Sequence, residues 1–273
     1  MKQLLSTILL LASTSFAQSE PKDAQGVAII QRSLLAMGSA VGSQQDSLST
    51  GTLTVSLPAQ KPESFVASGT YTRFARQSPV SYPFRLKVLG EDRFRREVDT
   101  PEGTHITVVR GPTGWSDSPQ KRKLLSITEL SGKTFEEFPL LALAHWLKSP
   151  DLDLQTVGAE TVEGKQVNHI SVKKRDITNT SSLFERARAE AIRCDLFTDV
   201  ETNIPLRIRY YEHPGDWRIS VPVDLEFSDY RSLNGVLFPF TVTRYVREQK
   251  ISQIQYRSVD FNVVVGDDQF KAR

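Results

Sequence analysis

From residue 194 onward the chain alternates apolar and polar side chains in short segments divided by turn residues, and that pattern admits few folds. Leu206 and Ile208 alternate with Arg207 and Arg209, and Val223, Leu225 and Phe227 alternate with Asp224, Glu226 and Ser228. Asn234-Gly235 then turns the chain into Val236, Phe238 and Phe240, and Val259-Asp260-Phe261-Asn262 closes the run. A period of two puts alternate side chains on opposite faces of a sheet, and Asn-Gly between two such runs signals a hairpin. The expectation is an antiparallel sheet with one apolar face. No set of catalytic groups is laid over it.

The earlier chain repeats the theme. Strand patterns are expected over residues 51–57 and 65–74, with residues 58–63 connecting them. Tyr82, Phe84, Leu86 and Val88 alternate, residues 90–92 turn, and Phe94, Arg96 and Val98 resume. Residues 105–110 follow a Thr100-Pro101-Glu102-Gly103 turn, and a turn at 111–114 leads to Trp115. Strands resume at 166–174. Two segments break the period. In residues 26–37, Val27, Ile30, Leu34 and Met37 share one helical face, with Gly38 at its end. Residues 135–147 are apolar nearly all round, which predicts a buried helix; Thr134 with Glu137, or Pro139, supplies its start. Ser182 and Glu185 suggest a third helix within 173–193, with Phe184, Ala187 and Ala191 on one face.

Lys2, the short apolar run from Leu4 to Ala12, and Ser15-Phe16-Ala17 read as a cleaved secretory signal over residues 1–17. The apolar run is shorter than the roughly 20 residues a membrane span needs, so a soluble mature chain without a transmembrane anchor is expected. Residues 18–25 are polar and read as a flexible lead-in, and 26–273 as a single domain. The mature 256 residues, 273 less 17, suffice for one large core. Removing Lys2 lowers the net charge from +2 to +1, which gives no bulk attraction to nucleic acid. With one cysteine, Cys194, no internal disulfide forms.

The chemistry-bearing residues are sparse. His105, His145, His169 and His213 show no metal-ligand spacing, so no metal or cofactor is expected. Cys194 has no histidine partner nearby in sequence and reads as a small packed residue. Asp195 with Asp199, and Asp267 with Asp268, sit where strand ends and turns favour them. Arg207 and Arg209 read as an outer, solvated face. No nucleophile elbow, phosphate loop or dinucleotide fingerprint is present.

The order helix, strands, buried apolar helix, strands resembles the periplasmic lipoprotein carriers LolA and LolB and their wider superfamily. The stretches that carry the likeness are Arg93-Phe94-Arg95-Arg96-Glu97 through Pro101-Glu102-Gly103 to Gly114-Trp115, and Pro139-Leu140-Leu141-Ala142-Leu143 followed by residues 157–164. A third is residues 199–205 with Asp229-Tyr230-Arg231 through Pro239. The resemblance implies an α+β, mainly β fold: a curved, incompletely closed antiparallel β-barrel with helices packed on its concave side. In that family the space between them accepts acyl chains. The carriers put an arginine before a proline at a turn near the cavity mouth; the matching turn here is Gly90-Glu91-Asp92, and the chain is longer at 173–193. Those departures set lipid binding ahead of lipoprotein transfer.

The expected function is a non-enzymatic, periplasmic carrier or binding protein for lipid or lipoprotein acyl chains. The apolar cavity would draw on Phe94, Trp115, Leu140, Leu143, Trp146, Phe238 and Phe240. The alternative is a periplasmic sensor or interaction module with an envelope protein partner on the same fold.

Overall fold

The computed structural model describes residues 22–38, 62–74, 78–126, 129–130, 138–175, 182–213 and 218–271. The strand expected at 51–57 and the Thr134–Glu137 cap lie outside these residues. Among them, thirteen strands form one antiparallel sheet. The first meander is β1 (Ser64–Phe74), β2 (Pro79–Leu89), β3 (Arg93–Thr100), β4 (Gly103–Arg110), β5 (Thr113–Asp117) and β6 (Arg122–Leu124). The second is β7 (Leu152–Val162), β8 (Lys165–Lys174), β9 (Cys194–Asp199), β10 (Pro205–Glu212), β11 (Val221–Leu233), β12 (Val236–Val246) and β13 (Gln249–Phe261). Pairing of β1 with β13 joins the two, so β6 and β7 are the edges and the sheet does not close.

That topology explains the apolar helix. The chain runs from the centre out to one edge, then must travel to the opposite edge before working back. The crossing carries α2 (Pro139–Lys148), whose residues 140–144 and Trp146 are buried. Pro139 supplies its first turn, where a missing N–H costs nothing. α1 (Ala24–Gly38) packs against α2, β7 and β12 and buries Ile29, Ile30, Leu34 and Met37. Val27, expected on that face, is half-buried.

Two expectations need correcting. Lys22 to Gln25 is held in place. Lys22 Nζ donates to the carbonyls of Trp146 (2.9 Å) and Leu147 (3.0 Å), the acceptors a helix C-terminus leaves open. Asp23 caps α1 through Gln25 N–H (3.0 Å) and accepts from Thr156 N–H (2.7 Å), so the helix begins at Ala24. The last strand starts at Gln249, well before Val259. Its inward positions include Ser252, and its pairing with β1 slips at Ser68/Gly69, both of which blur the alternation.

Other local expectations match their chemistry. Asn234 (φ 51°) and Gly235 (φ 82°) make the β11–β12 turn with both central residues left-handed. Ser182 and Glu185 form the reciprocal cap of α3 (Leu183–Ile192); the side chains of Phe184, Ala187 and Ala191 lie outside the described ones. After β13 a 3₁₀ turn (Asp267–Phe270) packs on β3 and β4, buries Phe270, and sets Asp267 against Arg93 (3.0 Å) and Arg110 (2.6 Å).

Candidate functional site

Strand register sorts the helix-bearing face of the sheet into rows. The first row runs Phe261, Phe65, Val88, Phe94, Val109, Gly114 across β13 and β1 to β5. The next runs Val259, Ala67, Leu86, Arg96, Thr107, Ser116. Then come Tyr256, Gly69, Phe84, Val98, His105, and after them Val242, Ile254, Tyr71, Tyr82. The last row is Leu225, Arg244, Ser252, Arg73, Val80. The row at one end is thus all apolar and the row at the other carries two arginines, with Arg96 in the row next to the apolar one.

The helices cover the apolar end. Phe138, which precedes α2, packs edge-on to Phe65 (5.8 Å), tilted on Phe238 (4.8 Å) and stacked on Phe261 (6.1 Å between ring centroids). Glu91, in the turn between β2 and β3, reaches His145 Nδ1 (3.6 Å) and Lys148 Nζ (3.7 Å) at the other end of α2. This turn thus fastens the far end of the helix. His145 itself is exposed, with Ser149 Oγ 3.2 Å from Nε2.

Among the described residues, the inner face beyond the helices is open. A trough of about 520 Å³ is lined by Tyr71, Arg73, Tyr82, Arg96, Val98 and Thr107, and is bounded by the Glu102 turn and Gln120. A smaller depression of about 170 Å³ adjoins it through Tyr71 and Arg96 and is floored by Leu225, Val242 and Ile254, with Arg244 alongside. The larger volume lies in the range of small-molecule sites. Arg244 bonds Glu212 (2.6 Å) and lies 3.4 Å from the Tyr210 hydroxyl. The Thr100 hydroxyl and the nearby charges of His105 and Arg73 hold the Glu102 carboxyl below its usual range.

The residues expected to line a cavity divide. Phe94, Leu140, Leu143, Trp146, Phe238 and Phe240 are brought together, all buried in one continuous core at the helix-covered end. None of the six lines the trough or the depression beside it. Trp115 stands on the opposite face, in the row Arg95, Val108, Trp115, Leu124, because its neighbour Gly114 takes the inward position. A Cβ at Gly114 would press on Leu130 and the Val108 carbonyl. Sequence reasoning missed the trough residues. The inward arginines Arg73, Arg96 and Arg244 sat in alternating segments as plain polar positions, although their phase, shared with Tyr71, Val98 and Val242, was the available signal.

The outer face carries ion pairs. Arg209 grips Asp224 through Nε and Nη2 (2.7 and 2.8 Å), and Arg207 bonds Glu226 (2.6 Å). His169 lies between Glu160 Oε1 (2.5 Å from Nδ1) and Asp195 Oδ1 (3.2 Å from Nε2), stacked on Phe197. The Nε2 approach is off the line of a hydrogen bond, so the attraction is between charges. Cys194 is fully buried, and burial pushes its thiol well above the usual value, the opposite of what an attacking thiolate requires. Among the described residues no group of three histidine, cysteine or acidic side chains is placed to hold a metal, and no helix is long and apolar enough to cross a membrane.

No family model matches the sequence, and no curated protein does. Solved structures are similar. A LolA superfamily protein from Nitrosomonas europaea aligns with a TM-score of 0.53 at 13% identity, over 90% of this chain and 96% of that one. A DUF1329 family protein from Desulfovibrio piger aligns at 0.53 and 14% identity, over 90% and 96%. A domain described as an outer membrane lipoprotein-sorting protein, from Vibrio parahaemolyticus, aligns at 0.52 and 14% identity, over 76% and 88%. At such identities the likeness is one of fold, and fold does not fix function. The chain has the LolA-like fold: a large, unclosed antiparallel sheet with helices on its inner face.

Proposed function

We propose that this chain is a non-enzymatic carrier or binding protein for lipid or lipoprotein acyl chains, acting in the periplasm after export through a signal ending at Ala17. The observation that carries the reading is the continuity of the inner face: an open trough leads, row by row, to apolar side chains beneath α2. An acyl chain gains about 0.8 kcal/mol for each methylene it buries. It would enter from the trough and advance toward Phe94, Phe238 and Phe240, with α2 shifting to admit it and Leu140, Leu143 and Trp146 exchanging contacts with each other for contacts with the chain. The step is passive and reversible. Similarity to lipoprotein-sorting and LolA superfamily structures supports the reading as analogy.

Displacement of a fluorescent fatty acid from the mature protein, across a series of chain lengths, tests it. Affinity should rise with length until the space is filled, and for uncharged acyl ligands it should change little with salt. Absence of saturable binding, together with no lipid in an organic extract of gently purified protein, would reject the reading in favour of an interaction module for an envelope protein.

A further inference from the structure

We propose that the trough on the uncovered part of the inner face binds a neutral saccharide, with Tyr71, Tyr82, Thr107, Ser116 and Gln120 as its hydrogen-bonding partners. The site stands on its own and does not require that acyl chains enter the core.

These five side chains line the trough and share a hydrogen-bonding capacity that the protein leaves unused: among the described residues, none of them makes a side-chain hydrogen bond. The same sheet treats such groups differently on its outer face. There Ser68 bonds Ser258 (2.8 Å), Thr72 bonds Ser81 (2.9 Å) and Gln253 donates to Thr243 (3.0 Å), each from one strand to the next. Thr107 and Ser116 are direct cross-strand partners, as Thr72 and Ser81 are, yet they do not pair. Tyr71 and Tyr82 form a second such couple. All four of these inner residues are half-buried, and none of their hydroxyl oxygens is sealed inside the protein, so a ligand in the trough can reach them.

The chemistry of the walls selects the class of ligand. Charge does not select it: Arg73 and Glu102 are exposed at the rim and opposite in sign, Arg96 already has an interaction of its own, and His105 is charged only when protonated. A hydroxyl both donates and accepts, and so does a carboxamide, so these walls best match a ligand that itself carries many hydroxyls. Tyr71, Tyr82 and Val98 add apolar surface, and Tyr71 and Val98 are anchored against the core. The C–H groups of a sugar ring carry slight positive charge and suit the negative face of an aromatic ring. A peptide recognised by strand addition would need a free sheet edge, and β1 to β5 are all interior strands. The Thr107–Ser116 and Tyr71–Tyr82 couples stand two rows apart, about 13 Å along the strands. Two linked sugar rings bridge that span and a single ring does not.

The test titrates isotopically labelled mature protein with maltose, cellobiose and di-N-acetylchitobiose, and with octyl maltoside and octyl cellobioside below their aggregation limits, and follows amide chemical shifts. Saturable shifts should appear in β1 to β5 and change little with salt. Thr107→Val with Ser116→Ala should weaken binding on the order of tenfold and leave the urea midpoint where it was, because those hydroxyls bond nothing in the protein. Tyr82→Phe removes a third hydroxyl and serves if the double variant folds poorly. Thr72→Val with Ser81→Ala, on the outer face, should leave binding unchanged. Binding of a free disaccharide would identify a glycan as sufficient; binding of the octyl glycosides alone, weakened by the same inner-face variants, would identify the sugar head of a lipid. Octyl glycoside binding that those variants do not weaken would overturn the saccharide site and leave the acyl reading intact. No saturable binding of any of these compounds would also overturn it, while fatty-acid displacement still judges the acyl reading separately. An affinity that collapses as salt is raised would overturn it as well, since charge would then hold the ligand.

Discussion

Leu143 offers the sharpest test of the helix-covered core. It is fully buried at the middle of α2, within the cluster that joins α1, α2 and the inner rows. Leu143→Ala removes three carbon groups. At about 0.8 kcal/mol each, the transfer loss is about 2.4 kcal/mol. The space left behind adds a further cost, because neighbours relax only partly, and total losses for such changes run from about 2 to 5 kcal/mol. For a chain of this size, about 3 kcal/mol lowers the melting temperature by roughly 6–12 °C. Leu143→Asp should cost more, since it also buries a charge without a partner. Urea unfolding followed by far-ultraviolet circular dichroism gives the midpoint and slope. A lower midpoint at constant slope is the expected result. A loss under about 1 kcal/mol for Leu143→Ala would refute the reasoning. It would mean that α2 spends much of its time off the sheet.

Two further outcomes follow from single positions. A Cβ at Gly69 would fall inside the Gln255 carbonyl and against the backbone of Tyr256, so Gly69→Ala should destabilise by about 1–3 kcal/mol or more by forcing β1 from β13. Gly164→Ala, at φ +81° in open space, should cost only about 1 kcal/mol of backbone strain; equal midpoints for the two variants would show that the β1–β13 crossing is looser than the structure has it. Burial alone would lower the pKa of His169, but Asp195 and then Glu160 outweigh it and raise the value above 6.5, while the Asp195 carboxyl lies below its usual range despite burial because of the same histidine. The His169 contribution to stability is therefore fully present below about pH 6.5 and is lost as pH rises through the folded value. His169→Gln should narrow the difference in urea midpoint between pH 5.5 and pH 8.5, and an unchanged difference would rule out this ion pair as its source.

The legibility of the chain followed its periodicity. Where one face is apolar and the other polar, as in Val223 to Phe227 or Phe84 to Val88, strands and faces were evident from the residues alone. The buried helix stood out because residues 140–144 leave no polar side. β7 was not readable as a strand: its pairing slips between Thr156 and Gly158, and as an edge it leaves many residues exposed, so no alternation survives. The candidate site was harder for a different reason. Aromatic and aliphatic side chains mark the core, and a closed core does not reveal which of them a ligand touches. The open trough and the depression beside it are defined by cross-strand pairing, which puts Arg73 and Arg244 in one row from positions far apart in sequence, while Arg96 lines both from a row nearer the helices. Trp115 failed as an inward candidate by a single residue of phase, with Gly114 taking its place.

How α2 could give way follows from its two unlike ends. At its start, Phe138 is locked among Phe65, Phe238 and Phe261, and freeing it would expose several rings at once. At its finish the fastenings are polar: Lys22 to the carbonyls of Trp146 and Leu147, and Glu91 near His145 and Lys148. Water replaces such contacts at little net cost, because hydrogen bonds to protein are exchanged for hydrogen bonds to solvent. Opening is therefore predicted to pivot at Phe138 and to swing the Lys148 end. Amide hydrogen exchange in native conditions reads this directly: the amides of residues 145–148 should exchange faster than those of 142–144, and Lys22→Ala with Glu91→Ala should widen the gap without moving the global unfolding midpoint by more than about 1 kcal/mol. Uniform exchange along the helix, tracking global unfolding, would mean that α2 does not open on its own, and a ligand would then be confined to the trough.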